Sequence, residues 1–393
     1  MMDFRQIIAQ ADGALMPTYA HFNAVMVSGK GATLTGADGR TYVDFTSGIG
    51  VNSLGYGDPD WVRAVSEQAA ALQHISNLYY APSTAAFAEK VTRRTGFERV
   101  FLCNSGAEAN ECAVKTARKY AYDRHGPGRA TVITLLNSFH GRSMVTLTAT
   151  GQEALHPECF APYNPGFRYV PAGDMAALEE AADDTVCAVM LEPIQGEGGV
   201  MPLGAAYLRQ VRELCDARGL LLIFDEVQTG VGRTGKLYAW EHSGVRPDLL
   251  TSAKGIGNGL PMGLCLAREE VGVGMTAGFH GSTFGGNPVA CAGACVVLDK
   301  VNDSLLADVA RKGDYLRGRL SGMKHVRAVR GMGMMLGVEL DGPDARAVAA
   351  KCVEKGLLIL TAKALLRLLP PLIITDEEMD RGLTLLENVL EEE

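Results

Sequence analysis

Residues 220–226 read LLLIFDE, an unbroken apolar run that ends in two acidic residues. A strand with one exposed face alternates apolar and polar residues, so a run without alternation predicts a strand buried on both faces of a parallel sheet. Similar apolar runs occupy residues 99–103, 130–136, 186–191 and 262–267. Helix-like stretches at 174–182 and 205–218 lie between them. This alternation predicts an α/β fold with a mostly parallel sheet covered by helices.

The chain after residue 300 has a different pattern. The elements predicted there are a helix at 304–320, one glycine-punctuated strand at 331–340, a helix at 345–355 and two strands at 357–360 and 365–369. Thr375 and Glu378 form a T-x-x-E capping box for a final helix. We therefore predict a large α/β domain at 56–300, a smaller α+β domain at 301–393, and an N-terminal segment, 1–55, that packs on the smaller domain.

Composition narrows the class of function. The 393 residues carry 45 acidic and 37 basic side chains, a formal net charge of −8 at pH 7. Nucleic acids are bound by clustered Lys and Arg, so this balance argues against a nucleic-acid partner. The 46 glycines exceed the usual share of about 7% and favour tight turns and close approach to a ligand. We expect an enzyme that handles a small ligand.

The nine cysteines form no C-x-x-C pair, and the eight histidines show no H-E-x-x-H spacing. We therefore expect reduced thiols in the core and no metal site. No apolar run approaches the ~18 residues of a membrane span. The first eleven residues also lack the basic and apolar regions of a signal peptide. The sequence predicts a cytoplasmic protein without a membrane partner.

A glycine-rich stretch, GVGRTGK at residues 230–236, resembles a nucleotide-binding loop. A P-loop needs Ser or Thr after the lysine to reach Mg²⁺, and residue 237 is Leu. A Rossmann site needs the glycines directly after a strand, and residues 225–229 intervene. A P-loop nucleotide-binding ATPase is therefore a disfavoured alternative.

Residues 104–111, NSGAEANE, directly follow the strand predicted at 99–103. Ser105 and Glu108 form an S-x-x-E box, so a well-capped helix is one explanation of this motif. The other is an anion site, because Ser105, Gly106 and Ala107 would present backbone N–H groups at the N-terminus of the helix.

Residues 139–142, FHGR, follow the strand predicted at 130–136. The motif alone is explained as a turn with a surface arginine. Phe139 could instead stack on a flat heterocycle. Arg142 could clamp a carboxylate through two parallel N–H···O bonds.

Two charged residues follow apolar stretches. Asp225 opens DEVQ (225–228), and an unpaired carboxylate at the edge of the core is costly, so it needs a cationic partner unless it is an exposed turn acid. Lys254 lies in SAKGIGNG (252–259), ahead of three glycines. A desolvated amine there would have a lowered pKa and would form a Schiff base, whereas a solvated loop lysine is the alternative.

Together these motifs supply an anion cup, a ring platform, a buried acid and an activated lysine. These are the parts that bind and use pyridoxal phosphate, with the acid keeping the pyridine nitrogen protonated so that the ring accepts electrons. All four motifs follow predicted strands, and α/β enzymes build their sites at that edge of the sheet. The residues therefore predict a pyridoxal phosphate enzyme.

On these motifs the chain resembles the class III (ornithine-type) pyridoxal phosphate-dependent aminotransferases of fold type I. The resemblance covers nearly the whole length and includes EPIQGEGG at 192–199, LLIFDEVQTGVGRTG at 221–235, GSTFGGNP at 281–288 and residues 367–371. It is strongest to family members that use N-acetylornithine, through YVDFTSGIGVNSL at 42–54 and ISNLYY at 75–80. The resemblance implies amino-group transfer by a homodimer with shared sites.

The resemblance also implies cofactor contacts. Lys254 would carry the cofactor and shuttle a proton between the substrate carbon and the cofactor. Asp225 would pair with the ring nitrogen, and Gln228 would bond the phenolic oxygen. Phe139 and Val227 would pack on the two faces of the ring. The other implied cofactor-binding residues are Ser105, Gly106, Ala107, Glu226 and, from the partner subunit, Thr283.

The substrates implied are N-acetylornithine, which gives up its δ-amino group, and 2-oxoglutarate, which becomes glutamate. Arg142 would bind the distal carboxylate of the donor, and Arg367 a carboxylate of 2-oxoglutarate. Glu197 would pair with Arg367 during the donor half-reaction and release it for the acceptor. Ser282 would contact substrate. Ornithine, succinylornithine and 4-aminobutyrate stay open as donors, because the same cofactor machinery serves them all.

Overall fold

The computed structural model describes residues 4–393; residues 1–3, with which the predicted N-terminal segment begins, lie outside it. Its helices are α1 Phe4–Ala14, α2 Ser47–Gly50, α3 Pro59–Ala71, α4 Pro82–Thr95, α5 Gly106–His125, α6 Met144–Ala149, α7 Met175–Ala181, α8 Ala205–Arg218, α9 Trp240–Ser243, α10 Glu269–Gly272, α11 Pro288–Lys300, α12 Asp303–Ser321, α13 Ala345–Lys355 and α14 Asp376–Glu391. Short 3₁₀ turns occur at Glu153–Leu155, Glu158–Phe160 and Lys254–Ile256.

The strands are β1 Met26–Lys30, β2 Thr33–Gly36, β3 Thr41–Asp44, β4 Arg99–Cys103, β5 Thr131–Leu135, β6 Phe167–Val170, β7 Val186–Leu191, β8 Ile194–Gln195, β9 Met201–Pro202, β10 Leu221–Asp225, β11 Leu249–Ser252, β12 Gly263–Ala267, β13 Val326–Met332, β14 Met335–Leu340, β15 Leu357–Leu358, β16 Leu360–Ala362 and β17 Leu365–Leu368.

The central sheet has the strand order β4-β12-β11-β10-β7-β5-β6. Strands β11, β10, β7, β5 and β6 pair in parallel, whereas β12 is antiparallel to both of its neighbours, β11 and β4. Because two reversals cancel, β4 runs in the same direction as the parallel strands. The carboxyl ends of β4, β5, β10 and β11 therefore meet at one edge. The predicted fold class is confirmed.

The apolar run of β10 is buried on both faces of this sheet. Leu222 and Phe224 pack in a cluster with α7 and α8 on one face. Leu221 and Ile223 pack against α5 on the other. Burial of each such side chain contributes about 1.5–3 kcal/mol, which explains the absence of alternation in this strand.

Two smaller sheets lie outside the central one, with strand orders β1-β2-β3-β15 and β13-β14-β17-β16. Val43 of β3 pairs in parallel with Leu357 of β15, so the N-terminal strands share a sheet with the C-terminal part of the chain. The domain boundaries at residues 55 and 300 stay a prediction.

Two element predictions in the C-terminal part were wrong. The strand expected at 331–340 is a hairpin of β13 and β14, because Gly333, with φ of 52°, turns the chain between them. The strand expected at 357–360 divides between two sheets, since Leu357 pairs with β3 and Leu360 pairs with β17.

The final helix, α14, begins as predicted. Thr375 Oγ1 accepts from the Glu378 backbone N–H at 3.1 Å, and Glu378 Oε2 accepts from the Thr375 N–H at 3.0 Å. The capping box is confirmed. None of the helices within residues 4–393 is long and apolar enough to cross a membrane.

Candidate active site

A cavity of about 410 Å³ opens at the edge where β4, β5, β10 and β11 end. The structure brings together at this cavity many residues that were predicted as site residues from distant parts of the chain. They are Ser105, Gly106, Ala107, Phe139, Arg142, Asp225, Val227, Gln228 and Lys254. The sheet topology thus assembles all four motifs at one place.

The N-terminus of α5 forms one wall of the cavity. Ser105 is the N-cap, and its Oγ accepts from the Glu108 N–H at 3.2 Å. The N–H groups of the first turn have no partner within a helix, so Gly106 and Ala107 offer donors to an anion. The predicted S-x-x-E box closes differently, because Glu108 Oε2 accepts from the Asn104 N–H, at 2.7 Å.

We expect Gly106→Ala to weaken binding of pyridoxal phosphate about tenfold. A Cβ at Gly106 would lie 2.7 Å from Val227 Cγ1, and overpacking of this kind costs about 1–3 kcal/mol, where about 1.4 kcal/mol is a factor of ten. Fluorescence titration of the apoprotein with the cofactor measures the change. Gly318→Ala is the matched control, because a Cβ there meets nothing within 4 Å; equal affinities of the two variants would contradict the prediction.

Phe139 and Val227 give the cavity its apolar side chains beside the sheet edge. The guanidinium carbon of Arg142 lies 5.5 Å from the centroid of the Phe139 ring. Arg142 is exposed and forms no ion pair with any residue in 4–393. Its charge is therefore free to bind a carboxylate that enters over Phe139.

Asp225 ends β10 as a buried carboxylate held by three contacts. Its Oδ2 accepts from Asn110 Nδ2 at 2.8 Å and lies 2.7 Å from His140 Nδ1, and its Oδ1 accepts from the Val227 N–H at 3.0 Å. The three contacts fix the carboxylate at the cavity, in a place suited to a cationic ring nitrogen.

Asn110, on α5, has its amide orientation set by β11. Thr251 Oγ1 donates to Asn110 Oδ1 at 2.6 Å, which leaves Asn110 Nδ2 to donate to both Asp225 Oδ2 and the His140 carbonyl, the latter at 2.7 Å. A helix, a strand and a loop thus fix the position of the Asp225 carboxylate.

Glu192 links the Phe139 loop to the loop that carries Glu197. Its Oε1 accepts from the Phe139 N–H at 2.8 Å and its Oε2 from the Gly196 N–H at 3.1 Å. Burial raises the pKa of Glu192 to about 7. Asn110, His140 and Glu192 all line the cavity and were not predicted as site residues; their signal was their place inside NSGAEANE, FHGR and EPIQGEGG.

Lys254 follows β11 with a backbone φ of +47°, in the left-handed region that a lysine rarely adopts. Such backbone strain is concentrated at functional sites. Burial lowers the pKa of Lys254, while the charges of Glu197 and Asp225 act in the opposite direction. A lysine with a lowered pKa presents more of the neutral amine that attacks carbonyl groups.

Arg367, on β17, forms an ion pair with Glu197 through Nη1, which also donates to Gln228 Oε1 at 3.2 Å. Burial alone would raise the pKa of Glu197, but the Arg367 charge lowers it below its ordinary value. Gln228 itself lines the cavity. The three side chains therefore connect the cavity to β17.

The Glu226 side chain does not line the cavity, and its cofactor contact stays a prediction. Its carboxylate is fully buried and accepts from the backbone N–H groups of Ala239 and Trp240 and from the Thr229 hydroxyl. Burial raises its pKa to about 7. Glu226 follows the end of β10, and these three contacts hold its carboxylate away from the cavity.

Ser282 and Thr283 also lie outside the Lys254 cavity of their own chain. They line a separate depression with Ser76, Asn77 and His280. Ser282 Oγ accepts from Asn104 Nδ2 at 3.1 Å, and Asn104 lines the Lys254 cavity. Thr283 is exposed.

The family model "Aminotransferase class-III" matches residues 15–390. Acetylornithine aminotransferase of Haemophilus ducreyi is 48% identical over 377 residues, which are 95% of this chain and 96% of that protein. The chain belongs to the class III aminotransferases.

Solved structures of this family share the fold over the whole chain. Ornithine aminotransferase of Toxoplasma gondii superposes with a TM-score of 0.95 at 34% identity and covers 100% of this chain and 96% of its own. N-acetylornithine aminotransferase of Stenotrophomonas maltophilia has a TM-score of 0.85 at 39% identity, with 98% of both chains covered. The backbone fold is therefore common to family members with different donors.

Class III aminotransferases depend on pyridoxal phosphate, which confirms the predicted cofactor and the resemblance. The residues that line the cavity also fit this cofactor. Gly106 leaves no room for a Cβ beside Val227, so the anion cup and the apolar wall are in contact. The cup, the Phe139 ring, the Asp225 carboxylate and Lys254 match the phosphate, ring, ring nitrogen and aldehyde in turn.

Proposed function

We propose that this class III aminotransferase moves the δ-amino group of N-acetylornithine to 2-oxoglutarate. The products are N-acetylglutamate semialdehyde and glutamate, in arginine biosynthesis. The reaction balances because the donor amine carbon is oxidised to an aldehyde while the acceptor ketone is reduced to an amine. The observation that carries the proposal is a pair of arginines with different states, Arg142 free and Arg367 neutralised by Glu197.

Arg142 supports a donor whose carboxylate lies far from the reacting amine. Its guanidinium is exposed beside Phe139 and has no ion-pair partner in the described chain. A donor whose δ-amine lies beside Lys254 has its α-carboxylate several bonds away, where Arg142 can bind it through two parallel N–H···O bonds.

Arg367 supports an acceptor with a carboxylate next to the reacting carbonyl. While Glu197 is paired with Arg367, the buried guanidinium is neutralised and does not attract a second carboxylate. The exposed part of Glu197 lets it turn away when 2-oxoglutarate enters. The Glu197–Arg367 pair thus allows one cavity to serve two substrates in turn.

Pyridoxal phosphate, when bound, supplies an aldehyde that takes up the amino group and a ring that accepts electrons. Lys254 moves a proton to and from the substrate carbon, for which the lowered pKa of its amine suits it. Asp225, held in place by its three contacts, would pair with the ring nitrogen. The N-terminus of α5 binds the phosphate, and Phe139 and Val227 exclude water from the ring faces.

We also propose a cytoplasmic homodimer in which Thr283 of a second copy reaches the phosphate and Ser282 the substrate. The support is an exposed apolar surface next to Thr283, and large exposed patches mark interfaces. Its side chains are Leu78, Tyr79, Tyr80 and Phe284, which are 88%, 67%, 102% and 61% exposed. Asn77 connects the two segments that form this surface, because its side chain donates to the carbonyls of Ser282 and Gly285. Nine free cysteines, seven of them buried, fit a reducing compartment.

The visible absorbance spectrum of the holoprotein tests the reaction. We expect N-acetylornithine, added without any keto acid, to remove the visible band of the bound cofactor, and 2-oxoglutarate to restore it. A band that responds only to ornithine, succinylornithine or 4-aminobutyrate would keep the reaction class and change the donor. A holoprotein whose band responds to no amine would contradict the proposal.

We expect Arg142→Ala to raise the KM for N-acetylornithine about 100-fold with little change in the KM for 2-oxoglutarate. A charge-assisted bidentate bond contributes about 1.5–3 kcal/mol. Steady-state kinetics with each substrate varied in turn provides the measurement. Arg124→Ala, on exposed α5 surface where the guanidinium stacks on Tyr120, is the control. An unchanged donor KM in Arg142→Ala would show that the distal carboxylate binds elsewhere.

A further inference from the structure

Arg233, in the loop after β10, is a deeply buried arginine without a carboxylate partner. The residue is 2% exposed, and no Asp or Glu of residues 4–393 forms an ion pair with it. Burial lowers its pKa to about 9. The charge of Asp44 acts in the opposite direction. A buried charge without a direct ion pair is still costly, so the hydrogen bonds of Arg233 must be well placed for it to remain in the core.

The three hydrogen-bond acceptors of Arg233 all lie next to, or are bonded to, residues that flank one pair of strands. Nη1 donates to the Met334 carbonyl at 3.2 Å and to the Pro370 carbonyl, and Nη2 lies 3.4 Å from Ser47 Oγ. Ser47 Oγ in turn donates to the Leu369 carbonyl at 2.6 Å. Met334 directly precedes β14, and Leu369 and Pro370 directly follow β17.

Strands β14 and β17 are the pair that carries Arg367. Gly337 of β14 is the register partner of Arg367, and Leu336 is the partner of Leu368. Arg233 thus holds the residue before β14 and the residues after β17, close to the point where Arg367 contacts Gln228, a residue of the cavity wall.

The same loop also touches the Arg367 side chain. Gln228, five residues before Arg233, accepts from Arg367 Nη1 at 3.2 Å. Asp225, which opens the loop, faces the cavity. Residues 225–233 therefore connect the cofactor side of the cavity to both the guanidinium and the strand of Arg367.

We propose that Arg233, with Ser47, is a positioning residue for the acceptor half-reaction: it sets the place of Arg367 relative to the cofactor without touching substrate. Lysine cannot replace it fully, since only the planar guanidinium reaches three acceptors in a fixed geometry. The inference rests on the proposed role of Arg367 as the site for the acceptor carboxylate.

Two variants test the inference. Arg233→Lys keeps the charge and loses the fork, and Ser47→Ala removes only the hydroxyl between Arg233 and Leu369. We expect each to raise the KM for 2-oxoglutarate about tenfold, because small misplacements of a positioned group cost up to ~100-fold. The rate at which N-acetylornithine removes the visible band should stay within about twofold of the unmodified protein.

Lys312→Met is the control, because Lys312 is also buried and donates to a carbonyl of the same segment, Leu372, at 3.2 Å; unlike Arg233 it also forms an ion pair, with Asp308 at 2.6 Å. Leu372 lies beyond Leu369 and Pro370, the residues that directly follow β17. We therefore expect the Lys312→Met variant to have a lower melting temperature and an unchanged KM for 2-oxoglutarate. If Arg233 only stabilised the fold, its variant would behave like Lys312→Met. If Arg233 positions Arg367, its variant will raise the KM for 2-oxoglutarate and the Lys312 variant will not.

Loading the protein with pyridoxamine phosphate separates this inference from the proposed donor. The acceptor half-reaction then starts with 2-oxoglutarate alone and needs no N-acetylornithine. A raised half-saturation concentration in both variants supports the inference even if a different amine proves to be the donor. An unchanged concentration, or an equal loss in the two half-reactions that follows melting temperature, overturns it.

Discussion

Lys254→Ala should lose about 10⁴-fold in kcat while still binding pyridoxal phosphate. In the proposed mechanism the substitution removes both the amine that would hold the cofactor covalently and the group that would move a proton at the substrate carbon. General acid–base catalysis alone contributes about 10²–10⁴-fold. The α5 N-terminus, Phe139 and Asp225 are untouched, so the binding surface for the cofactor is retained.

Single-turnover absorbance measurements with N-acetylornithine will report this loss, and dialysis against cofactor-free buffer will report retention. Lys236→Ala is the informative control. Lys236 is the lysine of GVGRTGK, so a nucleotide-binding loop would require it, whereas the proposed mechanism does not use it. Loss of activity in Lys236→Ala with normal turnover in Lys254→Ala would reverse our assignment of the two lysines.

Asp225→Asn should lower kcat by about 10²- to 10³-fold with a folded protein. The amide has the shape of the carboxylate but no charge to keep the ring nitrogen protonated, and removing one partner of a buried charged pair costs about 3–5 kcal/mol. If the NH₂ group of the new amide replaced Oδ2, it would face another donor, because Asn110 Nδ2 donates to Oδ2 in the unmodified protein.

The matched control for Asp225→Asn is Asp248→Asn. Asp248 is equally a buried carboxylate, but it pairs with Arg212 and Arg268 at the opposite end of β11. We expect that variant to lose thermal stability and keep its kcat per folded protein. Melting curves together with kcat separate the two effects, and equal kcat values for both variants would remove the special role of Asp225.

The central sheet could be predicted from the sequence because burial on both faces leaves a local signature. Residues 221–224 of β10, LLIF, are all apolar because Leu222 and Phe224 face α8 while Leu221 and Ile223 face α5. Motifs that follow such strands converge at one edge by topology alone, which is why Ser105, Phe139, Asp225 and Lys254 could be placed together.

Contacts between distant segments were less predictable. Glu226 accepts from the N–H groups of Ala239 and Trp240, and no local pattern in the sequence reveals these contacts. Asn110 and His140 became site residues only because α5 and the loop after β5 both pack against Asp225. Long-range packing of this kind leaves no periodic signal.

The antiparallel strand β12 has a consequence for synthesis of the chain on the ribosome. In the central sheet β4 pairs only with β12, whose residues 263–267 are made long after residues 99–103. The β4 strand therefore has no partner strand while the intervening strands are synthesised. Unpaired strand edges promote aggregation. The N-terminus of α5 directly follows β4, so we expect it to reach its final place only after β12 has been made, when the large sheet of the nascent chain is nearly complete.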